Sequence, residues 1–164
     1  RETDRFIELS ARADMANQLC ADYFVSVHVN RAGGGGFESF IYPGTQGGVT
    51  GQMQKVVHNR IMSFMSQYNV RDRGRKQANF AVLRETSMPA ILLEYLFVDH
   101  QADAKLLRDE VFMQGAAQAT VYGIAEALSL PLTDETWSDK VEEPVPLWAL
   151  AIMLQRMDRN FRGD

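Results

Sequence analysis

The chain has a single cysteine, Cys20, among 164 residues. An intrachain disulfide is therefore excluded, and so is a metal site built from several thiolates. Basic residues are not in excess: 17 Lys and Arg stand against 21 Asp and Glu, for a formal net charge of −4. General nucleic-acid binding, which relies on clustered Lys and Arg, is not expected. Long apolar runs are also missing. The longest, Leu147 to Leu154, falls well short of the roughly 18–20 residues of a membrane span. The opening residues Arg1-Glu2-Thr3-Asp4-Arg5 lack the character of a signal peptide and read as a chain already under way. What remains is 46% apolar. At this length that suffices to bury about two-thirds of the unfolded-chain surface without disulfide staples.

The periodicity predicts alternating helices and strands. Phe6, Leu9, Ala13, Ala16 and Cys20 recur at helical intervals and place Cys20 on the core stripe. Tyr23 to Val29 is rich in β-branched and aromatic residues and reads as a strand, as does Phe37 to Tyr42. Between them Asn30 to Gly36 is a loop whose Gly33–Gly36 run is expected to form a mobile rim. Thr50 to Tyr68 carries one apolar helical face. Arg71 to Lys76 reads as a basic, solvated loop, the alternative being that Arg71, Arg73, Arg75 and Lys76 meet an anionic ligand. Phe80 to Leu83 and Ala90 to Tyr95 read as two more strands, the second apolar on both faces and so covered on both sides. Ala102 to Leu107 and Val111 to Leu128 read as helices. The expected class is α/β: a twisted, largely parallel sheet with helices on both faces.

Three segments follow. Residues 1–128 form the main domain. Residues 129–146, with three prolines and many acidic side chains, read as a linker. Residues 147–164 fit a short amphipathic helix or the start of a second module.

Two residues carry the strongest chemical signal. His28 closes an apolar strand at its carboxyl end, where open α/β sheets bind ligands. A neutral imidazole there suits a metal or a general base. The plainer alternative is a packed histidine satisfied by a backbone carbonyl. Glu94 follows six apolar residues, Met88 to Leu93, and closes its strand in the same way. An ionised carboxylate in apolar surroundings needs a cation, a metal or a proton. The alternative is a strand-end glutamate that reaches solvent. If the two strands are parallel neighbours, His28 and Glu94 converge on one rim, the arrangement for a metal-activated water with a carboxylate acting on it. The weaker candidates are Glu38, on a strand, and His58, at the edge of a helical face and read as structural. His100 opens a helical segment that Asp99 is placed to cap.

Three stretches resemble the zinc-dependent N-acetylmuramoyl-L-alanine amidases of the type 3 class, found among bacterial autolysins, sporulation hydrolases and phage endolysins. Leu9-Ser-Ala-Arg12 with Ala16-Asn17 resembles the family's first helix motif. Ala21-Asp22-Tyr-Phe24-Val-Ser26-Val-His28-Val-Asn30 resembles its histidine strand. Phe80 to Glu94, with Val82-Leu83-Arg84, Thr86 and Met88-Pro89-Ala90, resembles its glutamate segment, and Gly36-Phe37-Glu38 its Gly-x-Glu. The resemblance implies that His28 is a zinc ligand and that Glu94 is the catalytic glutamate. It makes Glu38, Asn30 and Arg84 candidates for supporting the site or contacting substrate. The implied reaction is hydrolysis of the amide between N-acetylmuramic acid and L-alanine in peptidoglycan, which places the protein in the cell wall, extracellular or periplasmic. With one cysteine, the zinc site must be built from His and Glu.

The resemblance also implies features that precede Arg1: a first strand, a second zinc-binding histidine and a zinc-binding glutamate. Another segment or chain is expected to supply that strand. Two residues after Glu94 the family usually has glycine, and this chain has Leu96. Two other readings accompany the amidase: a non-catalytic wall-binding or regulatory remnant, and another cell-wall zinc peptidase.

Overall fold

A computed structural model describes residues 6–130. The linker expected over residues 129–146, from residue 131 on, and the terminal helix expected over residues 147–164 lie outside the described residues. The elements run in the order α1 (Leu9–Gln18), β1 (Phe24–Asn30), β2 (Phe37–Ile41), α2 (Val49–Met65), a 3-10 turn (Ser66–Tyr68), β3 (Asp72–Gln77), α3 (Ala81–Arg84), β4 (Ala90–Phe97), α4 (Gln101–Leu106) and α5 (Glu110–Ala127).

The strands form one sheet in the order β1-β4-β2-β3. Two of the three pairings, β1 with β4 and β2 with β3, are parallel, and β2 with β4 is antiparallel. Helices cover both faces, as the unbroken apolar run of β4 requires. On one face Val25, Ile91, Leu93 and Tyr95 pack with Val57 and Ile61 of α2 and Phe112 and Ala116 of α5. On the other, Phe24, Ala90 and Leu92 pack with Ala16 of α1 and Val82 and Leu83 of α3. The Tyr95 hydroxyl donates to Thr120 Oγ1, which donates to the Ala116 carbonyl, so the buried phenol ties β4 to α5. Burial pushes that phenol's pKa up. Asn17 joins α1 to the turn before β4: its amide donates to the Glu85 carbonyl at 2.8 Å, and its Oδ1 accepts from the Ser87 amide at 2.8 Å. Among the described residues no helix is long and apolar enough to cross a membrane.

Four local expectations are corrected. The basic segment Arg71 to Lys76 is not a loop but most of β3. It is an edge strand, polar on both sides, so it lacks the apolar alternation that marks a strand. Phe80 to Leu83 is not a strand. Phe80 caps the one-turn helix α3, whose consecutive Val82 and Leu83 both enter the second core. Cys20 is not in the core: α1 ends at Gln18, and Cys20 turns out at φ 49° with an exposed thiol. Asp99 does not cap α4, because His100 occupies the cap position.

Candidate active site

His28, Glu94 and Glu38 form a row across three neighbouring strands. His28 on β1 is in register with Glu94 on the parallel strand β4, and Glu94 is in register with Glu38 on the antiparallel strand β2. Residues in register project to the same side of a sheet, and neighbouring strands lie about 4.8 Å apart. The convergence expected for His28 and Glu94 is therefore present, and Glu38 joins them. Both His28 and Glu94 are half-buried. Ser26 precedes His28 by two and shares its face, and its Oγ is 2.9 Å from His28 Nε2, a bond that orients the ring.

Glu38 is 4% exposed. Its Oε2 accepts from Arg73 Nε at 2.9 Å and from Lys76 Nζ, and its Oε1 accepts from Asn30 Nδ2 at 2.9 Å. Burial acts to raise the Glu38 carboxyl, but the hydrogen bonds and charges of Lys76 and Arg73 outweigh it and hold it below its ordinary range. Glu38 and Asn30 are thus brought to the row. Arg84 is not: its guanidinium bonds Asn79 Oδ1 at 2.6 Å and Glu85 Oε1 at 2.8 Å, and neither partner belongs to the row.

Two bulges shape the rim. Between His28 and Asn30 on β1 lie two steps, but their partners on β4, Glu94 and Phe97, are three apart. The extra residue is accommodated by Leu96 at φ 58°. Leu96 joins the buried core with Tyr95, and Phe97 comes round to the Glu94 side. The β2–β3 pair repeats the device. Phe37 and Ser39 pair with Asp72 and Arg75, and the surplus falls at Arg73 and Gly74, the latter at φ 87°. The re-aimed residues meet: the Arg73 guanidinium carbon lies 4.9 Å from the Phe97 ring centroid. From the sequence, Arg73 and Lys76 were candidates only for meeting an anionic ligand, in a segment read as a solvated loop, and their pairing with Glu38 was not expected.

The glycine run is tied down. Asp99 Oδ2 accepts from the amides of Ala32 and Gly33 at 3.0 and 2.9 Å, and these bonds hold its carboxyl below the ordinary range. The buried Asp103 accepts from the amides of Gly36 and Phe97 through Oδ2 and pairs with His100 Nδ1 through Oδ1, at 2.8, 2.9 and 2.9 Å. Nothing in the helical pattern around Asp103 signalled that role. On the opposite face His58 is buried and structural, as expected. Its Nδ1 meets Ser39 Oγ at 2.9 Å and its Nε2 meets Asp72 Oδ1 at 3.1 Å.

One imidazole and one carboxylate facing the same side are donors of the kind zinc takes. Among the described residues, however, no group of three His, Cys, Asp or Glu side chains stands together to hold a metal. His28 fits as one ligand of such a site, and the described residues do not complete it.

The sequence profile of the N-acetylmuramoyl-L-alanine amidase family matches residues 1–126. An endolysin of Bacillus phage SPP1 is 47% identical over 132 residues, covering 79% of this chain and 49% of the endolysin. The N-acetylmuramoyl-L-alanine amidase CwlM of Bacillus licheniformis is 44% identical over 130 residues, covering 79% of this chain and 50% of CwlM. The chain therefore spans about half the length of these relatives. The catalytic domain of the amidase CwlV from Bacillus (Paenibacillus) polymyxa superposes with a TM-score of 0.71 at 33% identity, covering 80% of this chain and 71% of that one. By profile, relatives and fold alike, the chain belongs to the N-acetylmuramoyl-L-alanine amidase family.

Proposed function

We propose that this domain, within its full-length protein, hydrolyses the amide between N-acetylmuramic acid and L-alanine in peptidoglycan, with Glu94 as the catalytic carboxylate. The single observation that carries this reading is the register of His28 against Glu94 on adjacent parallel strands. Glu94 takes a proton from the attacking water and delivers one to the leaving amine. Zinc, when bound, polarises the carbonyl and makes the water more acidic. His28 is its proposed ligand here, and the remaining ligands come from outside the described residues. Among the described residues β1 is the edge of the sheet, and a strand from another segment or chain is proposed to pair with it. The site of action is the cell wall.

Digestion of purified peptidoglycan by the full-length protein tests this reading. New L-alanine amino termini, bound zinc by elemental analysis, and loss of turnover by at least about a hundredfold in Glu94→Gln are expected. Cuts within the stem peptide indicate a peptidase instead. Because the described residues do not complete a metal site, a second reading is a non-catalytic wall-binding domain. Wall binding without zinc and without cleavage supports it.

A further inference from the structure

The glycine run forms one wall of a cleft of about 410 Å³, closed on its other sides by α4, the 3-10 turn and the start of β3. Two glycines of the run have a steric reason. A Cβ at Gly34 would stand 2.4 Å from the Phe97 ring, and one at Gly35 would stand 3.1 Å from the His100 ring.

Its charges are unequal. Asp103, its acid, spends its carboxylate on two backbone amides and His100. Two cations line the opposite side. Arg71 is exposed and has no ion pair among the described residues. Arg73 is bonded to Glu38 through Nε alone, so its terminal nitrogens keep their donors, and the Phe97 ring supports its plane. Arg73, which lines the cleft, stands on β3, two strand spacings from β4 and its Glu94 in the order β1-β4-β2-β3.

We propose that this cleft binds a carboxylate of the substrate's stem peptide, with Arg71 as the principal donor and Arg73 as the second. The inference rests on the amidase reading above. Muramic acid's own carboxyl is consumed in the scissile amide, so the anionic groups of the cleaved unit lie on the peptide. A planar guanidinium pairs with a carboxylate through two parallel hydrogen bonds, which an amide cannot accept in the same way.

The test compares two probes: N-acetylmuramoyl-L-alanyl-γ-D-glutamyl-L-lysine with its glutamyl α-carboxylate free, and the same compound with that group as a carboxamide. Binding to the full-length protein is measured by calorimetry in a Glu94→Gln background, and cleavage is followed separately in the parent. The free carboxylate is expected to bind about tenfold more tightly. Arg71→Ala should abolish that preference, and Arg71→Lys should keep part of it. The substitution spares the Arg71 carbonyl that accepts from the Phe37 amide, and matched unfolding curves verify the fold. A preference absent from the parent, or unchanged in Arg71→Ala, overturns the subsite. Binding that discriminates through Arg71 without any cleavage upholds the subsite and removes the amidase reading instead.

Discussion

Glu38 and Glu94 stand directly opposite each other on neighbouring antiparallel strands. Like charges so placed destabilise a sheet. Here the conflict is relieved from one side: Arg73 and Lys76 both bind Glu38, so its charge is balanced within β2 and β3. Glu38 therefore acts as a neutralised support, and Glu94 faces His28.

Removing one of those cations leaves a buried carboxylate half-compensated. Lys76→Met is expected to cost about 1–2 kcal/mol of stability at neutral pH. The carboxyl of Glu38 is held below its ordinary 4.5, so its stabilising contribution is present above that pH and lost as pH falls through the lowered value. The gap between parent and variant should shrink in acid. Urea unfolding at neutral and strongly acidic pH measures it, and a pH-independent gap contradicts the assignment.

Leu96 holds a left-handed backbone that costs a non-glycine residue roughly 1–2 kcal/mol, yet its side chain is fully buried. Leu96→Ala loses the packing and keeps the strain, about 2–5 kcal/mol in total. Leu96→Gly loses the packing and relieves the strain. The glycine variant should therefore be more stable than the alanine variant by about 1 kcal/mol, the reverse of the usual strand order. Chemical denaturation of the pair decides it, and alanine above glycine refutes the strain.

Gly36 and Gly33 both have positive φ but differ in their surroundings. A Cβ at Gly36 would lie 2.1 Å from the Arg71 carbonyl oxygen, whereas one at Gly33 meets nothing within 4 Å. Gly33→Ala should cost about 1 kcal/mol, from backbone strain alone. Gly36→Ala should cost more, about 3 kcal/mol, because it also pushes β2 from β3 where the Phe37 amide donates to Arg71. Equal melting temperatures for the two variants would rule this out.

Burial depresses the His58 pKa below 6.5, and the Arg75 charge adds to the effect, against a partial opposing pull from Asp72. The unfolded chain then takes up this proton first. Stability from His58 is complete above about pH 6.5 and declines as pH falls from there through the depressed folded value. His58→Gln should flatten the stability profile between about pH 7 and pH 5. An unaltered slope in the variant would assign it to other groups.

Most of the architecture was legible because apolar periodicity is strong in β1, β4, α2 and α5. The places where reading failed share a cause. β3 is an edge strand held by main-chain pairing to β2, and its polar side chains carry no period that distinguishes it from a loop. The apolar Phe80-Ala-Val-Leu83 run became a helical turn because Val82 and Leu83 share one core pocket. Cys20 left the helical stripe when α1 stopped two residues earlier.

The sequence by itself determined which ionisable groups follow the apolar runs, because such groups resist burial without a partner. His28 and Glu94 were expected to close their strands, but β4 runs on through the buried Tyr95, Leu96 and Phe97, so Glu94 lies within it. Only the tertiary structure decided what surrounds them. The parallel register sets His28 against Glu94, and the antiparallel register brings Glu38 opposite Glu94. The two bulges bring Phe97 under Arg73. Those relationships depend on hydrogen bonds between strands far apart in the chain, and no local pattern of residues encodes a pairing register across that distance.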